Sequence, residues 1–153
     1  MIQRIQTLYL LIAAALMAVA IFTPVAQFFD GTQEYTLTAF ALKDAAGVTV
    51  QPALYMGILL ALAGLLPFIV IFLFKNRQLQ IRLCAAEVVM LIGSMAVMGI
   101  YYYLSNRIFD AANGIISIKV GIAMPLIAVI FVILAIRAIF RDEVLVRSLD
   151  RVR

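Results

Sequence analysis

Four apolar stretches, each long enough to cross a bilayer as a helix, limit what this chain can fold into more than any other feature. They cover Leu8–Ala26, Ala53–Phe74, Leu83–Leu104 and Val120–Phe140, 19 to 22 residues apiece. A helix rises about 1.5 Å per residue and the hydrocarbon core is about 30 Å thick, so roughly 20 apolar residues span it. Inside lipid a backbone must satisfy its own hydrogen bonds, and a helix is the local way to do so. The fold class expected is an all-α membrane protein. It is a left-handed four-helix transmembrane bundle with a small extracytoplasmic β-hairpin and a cytoplasmic helical tail, one integral membrane domain over residues 1–153.

Composition agrees. Apolar residues make up 66% of the chain, against roughly 45–50% in ordinary globular proteins. The net charge of +4 would suit a nucleic-acid binder only if the charges formed one patch, and they do not. Arg4, Lys75, Arg77, Arg82, Arg137, Arg141, Arg147, Arg151 and Arg153 fall on one side of the spans, and only Lys43, Arg107 and Lys119 on the other. Nine against three is the positive-inside pattern, which puts both termini in the cytoplasm and excludes nucleic acid as a partner. The chain has no histidine and one cysteine, Cys84. The commonest metal ligand and general base is therefore missing, and no intrachain disulfide can form. No cofactor is expected.

The first apolar stretch is long for a signal-peptide core and no A-x-A site follows it, so it is expected to stay as a span. Ala14 and Ala18 make a small-xxx-small pair on it. Gln27–Gln51 is the longest connection. Asp30-Gly31 signals a turn, and YTLTAFAL (35–42) reads as a strand whose partner is GVTV (47–50), with KDAA turning between them. Pro52 suits the start of the second span, and Pro67 is expected to kink it. Gly57, Ala61 and Gly64 recur at i, i+4 and i+7 and form a candidate helix-packing seam. KNRQLQIR (75–82) is a tight turn, Tyr101–Tyr103 an aromatic anchor, and Asn113-Gly114 a second outer turn. Pro125 is expected to kink the fourth span near its outer end. In the tail RDEVLVRSLDRVR (141–153), Leu145, Leu149 and Val152 share a helical face. Glu143 and Arg147 stand at i and i+4, so the tail continues the last helix.

Polar chemistry inside the spans is sparse, and Glu87 is its main item. An acid in a span is a functional-site hypothesis that needs a partner. Five residues beyond Arg82, Glu87 is expected roughly 7–8 Å inside the boundary. Arg137 is the expected partner in an intramembrane ion pair, with Arg4 and Arg82 as alternatives. Glu87, Ser94 and Tyr101 are spaced by sevens and share one face. Cys84, without a base or second thiol, is expected to be inert packing. Arg141, Arg147 and Arg151 make the tail a candidate contact surface for anionic headgroups or a protein.

The start, MIQRIQTLYLLIAA, and the end, RAIFRDEVLVRSLDRVR, together with YTLTAFAL, resemble an uncharacterised family of small four-span inner-membrane proteins from Bacteroidota-type bacteria, a domain of unknown function. The resemblance covers the whole chain. It implies an inner-membrane location and no particular activity. The layout of four spans with a β-containing first outer loop is also similar to that of claudin-type proteins. The tryptophan and paired cysteines of that loop are absent here, so this likeness is one of layout.

Apolar and small-residue seams outnumber chemical groups. The expected function is therefore a non-enzymatic accessory or interaction subunit, with membrane lipids and a protein partner or second copy around it. The alternative is a protein that binds or transports a lipid or other hydrophobic molecule beside Pro67 and Pro125. An enzyme would lack the groups to do the work.

Overall fold

The structure, a computed structural model, describes residues 3–73, 76–108 and 115–150. It contains four helices, α1 (Gln3–Phe22), α2 (Leu54–Phe72), α3 (Arg77–Ile108) and α4 (Met124–Asp150). Each is long and apolar enough to cross a membrane. α1 packs on α2 and α4, and α3 packs on the same two. Successive helices run antiparallel, so the connections alternate between two ends of the helical body. One end carries a β-sheet and the other carries the continuation of α4.

The helices pack through stripes whose spacing alternates between three and four residues. Leu10, Ala13, Met17 and Ala20 are buried on α1, Met56, Leu60, Ala63 and Val70 on α2, and Ala128, Val132, Ala135 and Ile139 on α4. α3 repeats the pattern with Cys84, Glu87, Leu91, Ser94 and Met98. A seven-residue repeat of this kind is what a left-handed crossing near +20° requires. The opposite faces are apolar as well, with Leu11, Leu62, Ile92 and Ile130 all exposed. That is an arrangement suited to lipid rather than water.

α1 stops four residues short of the end of its apolar stretch. Thr23 donates both its N–H and its hydroxyl to the carbonyl of Val19, at 2.9 and 2.7 Å, and Pro24 then has no N–H to continue the helix. Ala26 is taken instead by the first strand. α4 begins after a short 3-10 turn, Val120–Ile122, so Pro125 sits in the first helical turn, where its missing donor costs nothing. The kink expected there does not arise. α2 continues as helix through Pro67, although the carbonyl of Ala63 loses its usual donor.

The expected hairpin is a larger structure. Five strands, β1 (Ala26–Phe29), β2 (Glu34–Leu37), β3 (Ala41–Asp44), β4 (Thr49–Pro52) and β5 (Ile115–Ile118), form one antiparallel sheet in the order β4-β3-β2-β1-β5. YTLTAFAL is not one strand. It turns at Thr38, whose hydroxyl and N–H both donate to the Ala41 carbonyl at 2.7 and 2.9 Å, so its halves belong to β2 and β3. The KDAA turn is present: Val48 N–H donates to Asp44 Oδ1 at 2.8 Å, and Gly47 supplies the positive φ of 81° that closes it. The fifth strand comes from the other connection and pairs with β1. The Asn113-Gly114 turn lies outside the described residues.

Strand alternation sorts the sheet into two faces. Ala26, Phe28, Leu37 and Leu42 are buried, and Phe28 meets the ring of Tyr102 on α3 at 5.7 Å. The registered neighbours Ser117, Gln27, Thr36, Lys43 and Thr49 make the other face polar. The sheet thus caps the helix ends with its apolar side and turns its polar side away. Gly121 allows the close approach this needs, because a Cβ there would lie 2.6 Å from the Pro24 carbonyl oxygen.

Candidate functional site

Among the described residues the buried face of α3 carries all the buried polar side chains of the helices except Gln6 of α1. Gln80, Glu87, Ser94 and Ser105 are all buried, and Tyr101 is half-buried. The spacing by sevens seen in Glu87, Ser94 and Tyr101 extends back to Gln80, a residue that sequence reading alone does not single out. Gln80 Nε2 donates to the Val70 carbonyl at 2.9 Å, a second donor beside the Leu73 N–H at 3.2 Å in the last turn of α2. Ser94 donates to the Leu91 carbonyl of its own helix at 2.7 Å.

Glu87 is different. It is fully buried, and neither carboxylate oxygen has a hydrogen-bond partner among the described residues. The expected ion pair with Arg137 is not formed: Arg137 is exposed, as is Arg82, and the side chain of Arg4 lies outside the described residues. The physical reason is which way α4 faces. Its interior stripe runs through Ala128, Val132, Ala135 and Ile139, and Arg137 falls between the last two on the side toward α1.

Glu87 lies near the mid-length of its neighbour α2. The Gln80–Val70 hydrogen bond fixes how α2 and α3 are aligned. Seven residues further along each, about 10 Å at the helical rise, Glu87 comes level with Ala63, the central residue of α2. An ionised carboxylate left unpaired in such a place costs several kcal/mol. The site therefore offers two acceptor oxygens without donors, shielded from water and level with a carbonyl freed by Pro67. Among the described residues no three of Cys, Asp and Glu gather to hold a metal ion.

The Gly57, Ala61 and Gly64 seam is divided among three surroundings. Gly57 faces the ring of Phe40, which an added Cβ would meet at 2.2 Å, and Gly64 faces Met17 of α1, at 3.3 Å. Ala61 is exposed. The fully buried stripe of α2 is Met56, Leu60, Ala63 and Val70, one position round, with Gly64 at its edge against α1. On α1, Ala14 is buried and Ala18 faces outward.

α3 has a small-residue face of its own, on the side away from Glu87. Ala85, Ala96 and Gly99 are exposed there, flanked by exposed Val89, Ile92 and Tyr103. These positions all fall within about 40° of one line down the helix at 100° per residue. A Cβ added at Gly99 would meet nothing within 4 Å.

At the tail end, Arg137 and Arg141 both line a half-open cleft of about 400 Å³ between α1 and α4, with Ile5, Tyr9, Leu134, Ala138 and Leu145. Tyr9 meets Phe131 at 6.2 Å between ring centroids. Arg77 ties α3 to α4 beside it, reaching Asp142 Oδ2 at 3.4 Å and donating to the Asp142 carbonyl at 3.0 Å. Arg147 belongs to α4, but its side chain, like all of Arg151, lies outside the described residues. Of the three tail arginines the structure thus places Arg141 alone, and it joins Arg137 rather than Glu87.

A family model described as a domain of unknown function (DUF4293) matches residues 2–152. No curated protein matches the chain.

Proposed function

The chain belongs to the DUF4293 family, and we propose that it is an integral protein of a bacterial inner membrane, a four-helix transmembrane bundle acting as a non-enzymatic interaction subunit. Both termini lie in the cytoplasm, on the side that holds nine of the twelve Lys and Arg residues. Origin in Bacteroidota-type bacteria is part of the same reading and rests on the resemblance of the two ends of the chain.

The observation that carries the subunit role is the outward face of α3. In lipid there is no hydrophobic force between helices, and association depends on close packing at small residues. α2 uses its glycines on neighbours within the chain. α3 leaves Ala85, Ala96 and Gly99 open, and a helix from a second copy or another membrane protein fits that face.

Native electrophoresis of the protein, expressed at its natural level and gently solubilised, tests this. The wild type should run as an assembly, and A96L/G99L should run as a single folded chain while A61L does not change. A wild type that runs as a lone chain sinks the reading, as does an A96L/G99L variant that assembles normally. A second reading, binding of a lipid or other hydrophobic molecule, is favoured by the cleft between α1 and α4.

A further inference from the structure

The cleft between α1 and α4 combines features that select one kind of occupant. Arg137 and Arg141 stand one helical turn apart, so their side chains leave α4 on the same side. Both line the cleft, and neither has a hydrogen-bond or ion-pair partner among the described residues. Among the described residues no carboxylate lines it. The nearest acids on α4 are otherwise engaged, Asp142 by Arg77 and Glu143 in an interaction of its own. The remaining wall is mostly apolar, with Ile5 in the first turn of α1, and Tyr9 and Leu134 each one turn further into the helices than Ile5 and Ala138. Its volume of about 400 Å³ lies in the range of ligand pockets, roughly 300–1,000 Å³.

The geometry points to a binding site for an anionic glycerophospholipid of the cytoplasmic leaflet. Its phosphodiester sits between the two guanidinium groups and one acyl chain lies along the Tyr9 ring and Leu134. The inference deepens the lipid-binding reading and rests on the membrane orientation proposed above. Guanidinium is a planar fork that matches phosphate oxygens two at a time, and it keeps its charge at every relevant pH. Arg137 lies inside the apolar part of α4, where a charge without a counterion is costly, and a phosphodiester at headgroup level supplies one. A zwitterionic headgroup brings its own ammonium toward two fixed positive charges and is disfavoured for that reason. Tyr9, with an apolar ring and a polar tip, suits the same boundary.

Full-length protein is reconstituted in vesicles of equal parts phosphatidylglycerol and phosphatidylcholine and released for native mass spectrometry. The wild type should retain phosphatidylglycerol over phosphatidylcholine by about ten-fold, the size of one charge-assisted hydrogen bond. R137A/R141A should lose that preference, R137K/R141K should keep part of it, and R77A should keep all of it. Equal retention of both lipids by the wild type overturns the site, and this arm does not depend on any variant folding. A preference that survives in R137A/R141A, or disappears equally in R77A, also overturns it. Alkaline extraction of the wild type from phosphatidylcholine vesicles separates the premise from the site. Extracted protein sinks the membrane reading itself. Inserted protein without a lipid preference sinks only the site.

Discussion

α2 and α3 are antiparallel neighbours joined by the Gln80–Val70 hydrogen bond, yet they distribute polarity and side-chain size in opposite ways. α2 is apolar on its buried face, and its glycines receive groups of this chain: Phe40 at Gly57 and Met17 at Gly64. α3 buries Gln80, Glu87, Ser94 and Ser105 and leaves Ala85, Ala96 and Gly99 exposed, with open space beside Gly99. α2 is thus a helix whose special residues all serve internal packing. α3 has special residues that internal packing does not explain.

The largest expected effect breaks the comparison on the α2 side. Gly57→Leu drives a side chain into the Phe40 ring, and overpacking of this kind costs about 3 kcal/mol. Gly99→Leu, chemically the same change, should leave the unfolding of the isolated, detergent-solubilised chain within about 1 kcal/mol of wild type, near the helix-propensity gain of replacing glycine. Equal losses in the two variants would remove the contrast. Next in size, Glu87→Leu should raise stability by about 1–3 kcal/mol, because it removes a buried group that has no partner. A marked loss would show that Glu87 is held by a bound species. Gln80→Leu should cost about 1 kcal/mol by removing one donor to Val70. The smallest effect is expected for Arg77→Ala, at or under about 1 kcal/mol, since its pair with Asp142 is partly open to solvent and is screened. Denaturant titration in one detergent orders all five variants.

The spans were legible because hydropathy over some twenty residues is a strong, local signal. Their ends were less so. Val25 and Ala26 are as apolar as the helix before them, and they leave α1 only because Pro24 ends it and Leu37 and Ile118 offer strand partners. The turn at Asp44–Gly47 was legible from its residues. The pairing of β1 with β5 was not, since the two strands lie far apart in the chain and no local pattern links AQFF to IISI. Glu87 stood out as an acid in a span, and its seven-residue relation to Ser94 was visible. Its missing partner was not, because the rotation of α4 depends on which of several apolar stripes it buries. For the same reason Arg137 is found with Arg141, Tyr9 and Ile5 in the cleft. The outward position of Ala85, Ala96 and Gly99 likewise became readable only once α3 had committed its polar stripe to the interior.

The central claim is that α3, and not α2, presents the face through which this protein meets another helix. Cysteine cross-linking in native membranes tests it most directly. Cys84 is buried and is replaced by alanine, and single cysteines are then placed at Gly99 on α3 and at Leu62, an exposed position on α2. The account predicts a covalent adduct from the Gly99→Cys protein, to a second copy or to a distinct partner, and none from Leu62→Cys. Adducts from Leu62→Cys alone, or equal yields from both positions, would contradict it.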